Sequence, residues 1–162
     1  MINRISSYSK KQKRLAFCCL SFYILCCNSF ASDVDIRPVN FKENRPTSSD
    51  VIEKSIADHA ETMQVLSANT ATMVKVSPDK FRFKIVGFTD NKECSGDACK
   101  VLSLRRAQLV YAWLLAHGVL ADQLLPPEGR GSDDPIDTNA ATDGRQRNRR
   151  VEFQVIPISP TS

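Results

Sequence analysis

The chain has 162 residues, with 22 Lys/Arg against 18 Asp/Glu and a formal net charge of +4, a length that suits one domain plus a leader. Five of the 22 basic residues and none of the 18 acids lie in residues 1–31, so residues 32–162 carry 17 basic and 18 acidic side chains, a net of −1. A near-neutral body lacks the electrostatic footprint of a nucleic-acid binder and leaves a packed domain as the expected state.

Residues 1–31 read as a secretory signal peptide. Arg4, Lys10, Lys11, Lys13 and Arg14 form a basic start, Leu15 to Cys27 an apolar run of 13 residues, and Ser29-Phe30-Ala31 a small-residue cleavage site. The run is shorter than the roughly 20 residues a spanning helix needs. Retention of the leader as an anchor is the competing reading. Cys18, Cys19, Cys26 and Cys27 follow Phe17, Cys18, Leu25 and Cys26, none of them the small residue that precedes a lipid-attachment cysteine.

Residues 32–48 are polar and contain Pro38 and Pro46; they read as a tether, with a short strand at Val39-Asn40-Phe41. Residues 49–158 form the expected domain. A helix is predicted from about Asp50 to Leu66, because Ile52, Ile56, Ala60, Met63 and Leu66 repeat at helical spacing behind an Asp50/Glu53 cap pair. His59 falls within that stripe and reads as a partly buried packing residue. Residues 67–79 are small and polar and read as a loop. Phe81, Phe83 and Ile85 alternate with Arg82 and Lys84, which predicts a strand that ends at Gly87. A second helix is predicted over Val101–His117 and stops at Gly118. A short strand near Leu124, loops over 126–131 and 135–144, a helical turn over 144–149 and a strand with Val151, Phe153 and Val155 complete the chain. The order β–α–β–α–β–turn–β predicts a two-layer α/β (α+β) sandwich, with helices on one face of a mixed sheet.

Cys94 and Cys99 are the only cysteines after the leader, and an even pair in an exported chain favours a disulfide, with two free thiols as the other reading. On the second helix Arg106 shares a stripe with Leu102, Leu109, Val110 and Trp113, whereas Arg105 lies toward Gln108 and Ala112. A guanidinium on a core-facing stripe needs a partner. That partner is either a structural acid or a ligand. Asp90, one candidate partner, follows a strand end and either caps a turn or joins a site. The run Arg145 to Arg150 is a solvated face or part of that same site. His59 and His117 lie on different helices, and no nucleophile elbow, phosphate loop or metal-ligand spacing is present, so the chain does not read as an enzyme or as a holder of a metal or cofactor.

Gly87-Phe88-Thr89-Asp90, then Leu102-Ser103 with Arg106-Ala107, Gly118-Val119, Gly131, Gly144-Arg145 and Asn148-Arg149-Arg150-Val151-Glu152 occur in one order over residues 87–153. This stretch resembles the OmpA-like C-terminal domain, a peptidoglycan-binding module of Gram-negative envelope proteins. The resemblance implies the fold expected above. It also implies non-covalent binding of peptidoglycan through the diaminopimelate of its stem peptide. Asp90 would take the ligand ammonium, Arg106 a carboxylate, and Arg149 would be a further pocket arginine; Thr89, Leu102 and Ser103 would line the pocket. A periplasmic location follows, with association to an outer-membrane or other envelope protein. The competing reading is a scaffold that keeps the fold without binding the wall. Three departures bear on the pocket: Phe88 stands where the family has His, Cys99 where it has Asn, and the Asp90–Arg106 spacing of 16 is one longer than usual. A Cys94–Cys99 bridge is expected to stiffen the pocket rim, so that reduction weakens binding.

Overall fold

The computed structural model describes residues 35–159, so the leader of residues 1–31 lies outside the described residues. Four strands form one mixed sheet: β1 (Val39–Asn40), β2 (Phe81–Gly87), β3 (Leu124–Gly129) and β4 (Arg150–Pro157), in the order β1-β4-β2-β3. Strand β4 runs antiparallel to both β1 and β2, while β2 and β3 are parallel. The helices are α1 (Ile52–Ser55), α2 (His59–Lys75), α3 (Asp97–Ala116) and α4 (Thr142–Asn148), with a 3-10 turn at Ala121–Gln123. Phe83, Ile85 and Val151 of the sheet meet Leu66 and Met73 of α2 and Ala107, Val110 and Leu114 of α3 in one buried cluster. Alternate residues of β2 turn away from it, and Lys84 pairs with Glu128.

The predicted helix over 50–66 is in fact two. Ile56 is extended and bridges Phe41, the Ala57 N–H donates to the Asn40 carbonyl at 2.9 Å, and Asp58 takes a left-handed φ of 37°. The chain turns there, and α2 then runs on to Lys75 through the expected loop. Its polar residues are satisfied inside the fold: Asn69 exchanges hydrogen bonds with the Arg37 backbone, and the Thr70 and Thr72 hydroxyls donate to carbonyls one turn back. His59 heads α2 and is exposed, not half-buried. The tether also needs correction. Val39 and Phe41 are fully buried, so the arm from β1 onward belongs to the core.

Helix α3 starts at Asp97, four residues before its predicted start, which brings Cys99 into its first turn. Strand β3 continues through Pro126 and Pro127 to Gly129. It is an edge strand, where a missing N–H is tolerated, and its pairing with β2 shifts register opposite those prolines. Gly87 and Gly129 are paired in register beneath α3. A Cβ on Gly87 would lie 2.0 Å from the Ser103 carbonyl oxygen, and one on Gly129 2.4 Å from the Leu104 nitrogen. Only glycine lets the strand ends come this close to the helix that carries Arg106.

Candidate functional site

Asp90 lies three residues past the end of β2, and its side chain is 1% exposed. Oδ1 accepts from the N–H groups of Lys92 (2.6 Å) and Glu93 (3.0 Å), which is the turn-capping role. Oδ2 accepts from Arg149 Nη1 at 2.8 Å. Of the two roles open in the sequence, the turn cap is thus observed, and the other carboxylate oxygen is paired with Arg149. Burial pushes the Asp90 carboxyl up, but the Arg149 guanidinium and the two N–H groups outweigh it and hold it below the usual carboxylate range. Arg149 also donates from Nε to the Phe41 carbonyl at 3.3 Å and from Nη2 to Gln146 Oε1 at 2.5 Å.

Arg106 is fully buried and Arg105 is exposed, as the helical stripe predicts. Its partner is not Asp90. Glu93 meets the guanidinium end-on, Nη1 to Oε1 at 2.6 Å and Nη2 to Oε2 at 2.8 Å, and both side chains are 0% exposed. The remaining N–H groups reach the carbonyls of Arg45 (2.8 Å from Nε), Phe88 (2.9 Å from Nη1) and Lys42 (3.1 Å from Nη2). All five donors of the guanidinium are thus matched. The ring of Phe41 lies 5.5 Å from its carbon Cζ. The Glu93 carboxylate receives two further N–H groups, from Asn44 at 2.8 Å and Asp90 at 3.3 Å. A four-donor cradle for one carboxylate results, two donors from Arg106 and two from the backbone.

Asp90 and Arg106 are brought together only through that carboxylate. Arg149 joins Asp90. Thr89 is buried; its N–H donates to the Gly131 carbonyl at 2.8 Å and its hydroxyl has no protein partner. Ser103 is tied up elsewhere: its hydroxyl donates to the Lys100 carbonyl and accepts from the Gly131 N–H, both at 2.9 Å. Leu102 is buried on the same stretch of helix. Phe88 is buried under Arg150, whose guanidinium carbon stands 4.0 Å from the ring centre. Cys94 and Cys99 form a disulfide with Cα atoms 5.1 Å apart. The bridge ties the residue after Glu93 to the helix bearing Arg106.

Sequence reasoning missed Glu93 and the arm at Lys42–Arg45. The arm contributes main-chain atoms, which carry no sequence signal. Glu93 sits in an irregular segment among exposed polar residues, and nothing in its spacing pointed to Arg106. Among the described residues no helix is long and apolar enough to cross a membrane, and no group of His, Cys, Asp or Glu is placed to hold a metal ion.

Known proteins resemble this chain in sequence and in fold. The Mycobacterium bovis "peptidoglycan-binding protein ArfA" is 42% identical over 85 residues, which is 52% of this chain and 25% of that protein. The Escherichia coli "probable lipoprotein YiaD" is 33% identical over 100 residues, 60% of this chain and 45% of that protein. The chain thus matches a quarter to under half of these relatives. Among solved structures, the cell wall anchor of the type VI secretion system from Pseudomonas aeruginosa aligns with a TM-score of 0.52 and 29% identity over 70% of this chain and 75% of that one. The peptidoglycan-associated lipoprotein from Burkholderia pseudomallei aligns with a TM-score of 0.59 over 80% and 98%, at 22% identity, and shows the fold alone. A family model described as the OmpA family matches residues 52–149, more than half of the sequence, and the chain belongs to that family.

Proposed function

We propose that this domain binds peptidoglycan non-covalently, through the diaminopimelate of a stem peptide, and so links the periplasmic face of the envelope to the cell wall. The observation that carries the reading is the carboxylate cradle on Arg106 next to the Asp90 carboxylate. Diaminopimelate presents a carboxylate and an ammonium on one carbon. The planar guanidinium fork suits the first. Asp90 suits the second, because Oδ2 accepts only from Arg149 and keeps acceptor capacity. Family membership and the wall-binding names of relatives support the same reading.

A second reading, a periplasmic scaffold without wall affinity, is favoured by one observation: Glu93 already occupies Arg106. Co-sedimentation with purified sacculi separates the two. The expected result is pelleting with diaminopimelate-type walls, weaker pelleting with lysine-type walls, and loss of about tenfold or more on Asp90→Asn or Arg106→Lys in folded protein. If neither the wild type nor a variant freed of Glu93 pellets with either wall, the scaffold reading replaces wall binding.

A further inference from the structure

The Glu93–Arg106 contact has the form of a bound ligand supplied by the chain itself. Two of the five Arg106 donors face Glu93, and the other three are held by main-chain carbonyls. An outside carboxylate can reach Arg106 in the same fork only when Glu93 leaves. The cradle that Glu93 would vacate keeps the Asn44 and Asp90 N–H groups, which would serve any carboxylate of similar placement.

The segment that carries Glu93 is built to be both held and moved. It is the short irregular stretch between Asp90 and α3, with Asn91, Lys92, Ser95 and Gly96 exposed. Gly96 has a positive φ of 53°, and a Cβ built there would meet nothing within 4 Å, so the segment turns at an open position just before α3. Against this, Cys94 is tied to Cys99 in the first turn of α3, seven residues before Arg106. Carboxylate and guanidinium are therefore fastened to one rigid element.

We propose that Glu93 is an internal competitor: it occupies the carboxylate position on Arg106, the Cys94–Cys99 bridge holds it there, and a ligand carboxylate binds by displacing it. This rests on the reading of Arg106 as a carboxylate-binding group. The apparent affinity of the wild type is then lowered by the fraction of molecules in which Glu93 is away.

The test uses Glu93→Ala and Glu93→Gln in the full chain, with two probes. Free acetate and free diaminopimelate are titrated in thermal-shift measurements, and pelleting with diaminopimelate-type sacculi is measured in parallel. Glu93→Ala should melt below the wild type and recover with millimolar acetate or diaminopimelate, while the wild type hardly shifts. Its pelleting should exceed that of the wild type by about tenfold or more, with Glu93→Gln between them. Should Glu93→Ala fail to fold, the wild type in reductant, with free thiols verified, replaces it. Pelleting then rises as the segment is released, whereas a bridge that only stiffens the rim would make it fall. A folded Glu93→Ala that neither probe stabilises overturns the proposal, and so does pelleting no stronger than that of the wild type when the wild type itself binds the wall. Stabilisation by acetate with no pelleting of any variant supports the competitor and removes the wall-binding reading alone.

Discussion

Arg106 and Glu93 form a buried pair in which neither side chain is exposed, so their removal should be strongly coupled. Either Arg106→Leu or Glu93→Leu alone leaves a buried charge unmatched and should cost about 3–5 kcal/mol, whereas the double change should cost far less than the sum. Urea unfolding of the four proteins measures that coupling. Arg105→Ala should change stability by less than about 0.5 kcal/mol, since Arg105 is exposed. Equal effects at Arg105 and Arg106 would contradict the orientation of α3. Asp90 gives a pH signature. Its folded-state carboxyl lies below the ordinary value, so its contribution is complete above about pH 4 and is lost as pH falls through the lower folded value. Unfolding followed from pH 6 to pH 2 should therefore show a steeper loss for the wild type than for Asp90→Asn. The stripe position of Arg106 was legible because helical spacing records which side chains face the core. Its partner was not, because a carboxylate reaching back from an irregular segment leaves no periodic trace.

At the scale of elements, the contact between β2 and α3 sets where Arg106 stands. Gly87→Ala would place a methyl group 2.0 Å from the Ser103 carbonyl oxygen, and relieving that clash means lifting the helix from the strand. A loss of roughly 1–3 kcal/mol is expected, with weaker wall binding than Gly131→Ala produces at equal stability. Opening the Cys94–Cys99 bridge should cost about 2 kcal/mol through chain entropy. Strand β2 and the body of α3 were readable because their apolar periods are long and uninterrupted. The second half of α2 was not. Its Asn and Thr residues mimic loop chemistry, and only tertiary partners such as the Arg37 backbone, together with back-bonded hydroxyls, show how a helix accommodates them. The early start of α3 was hidden for a related reason, since Gly96 and Asp97 read equally well as a turn.

For the molecule as a whole, the order of strands and helices and the mixed sheet follow from the sequence pattern, but the boundary of the domain does not. A polar stretch with two prolines reads as a tether until Val39 and Phe41 are seen fully buried. The strand at Val39–Asn40 was legible, but its place in the core was not, because two residues carry too little pattern to show a buried face. Phe41→Ala should therefore destabilise the entire fold by about 3–5 kcal/mol, as measured by calorimetry, although it lies in the arm outside the matched family region. It should also loosen the site, because the ring against Arg106 is lost and the Phe41 main-chain carbonyl that accepts from Arg149 sits on the same arm.

Trp113 is the sole tryptophan of the chain. It stacks on His117 at 3.6 Å between ring centres and borders the groove between α2 and α3 with Thr70, Ala71 and Val74. It lies seven residues beyond Arg106, about 10 Å along the helix axis. Its fluorescence is therefore an intrinsic optical gauge of how α2 sits on α3, shaded by the imidazole beside it, and it is blind to direct contact with a ligand carboxylate. A change in emission during a titration would signal loosening of the helical layer, while binding that leaves the emission unchanged would be confined to the segment around Glu93.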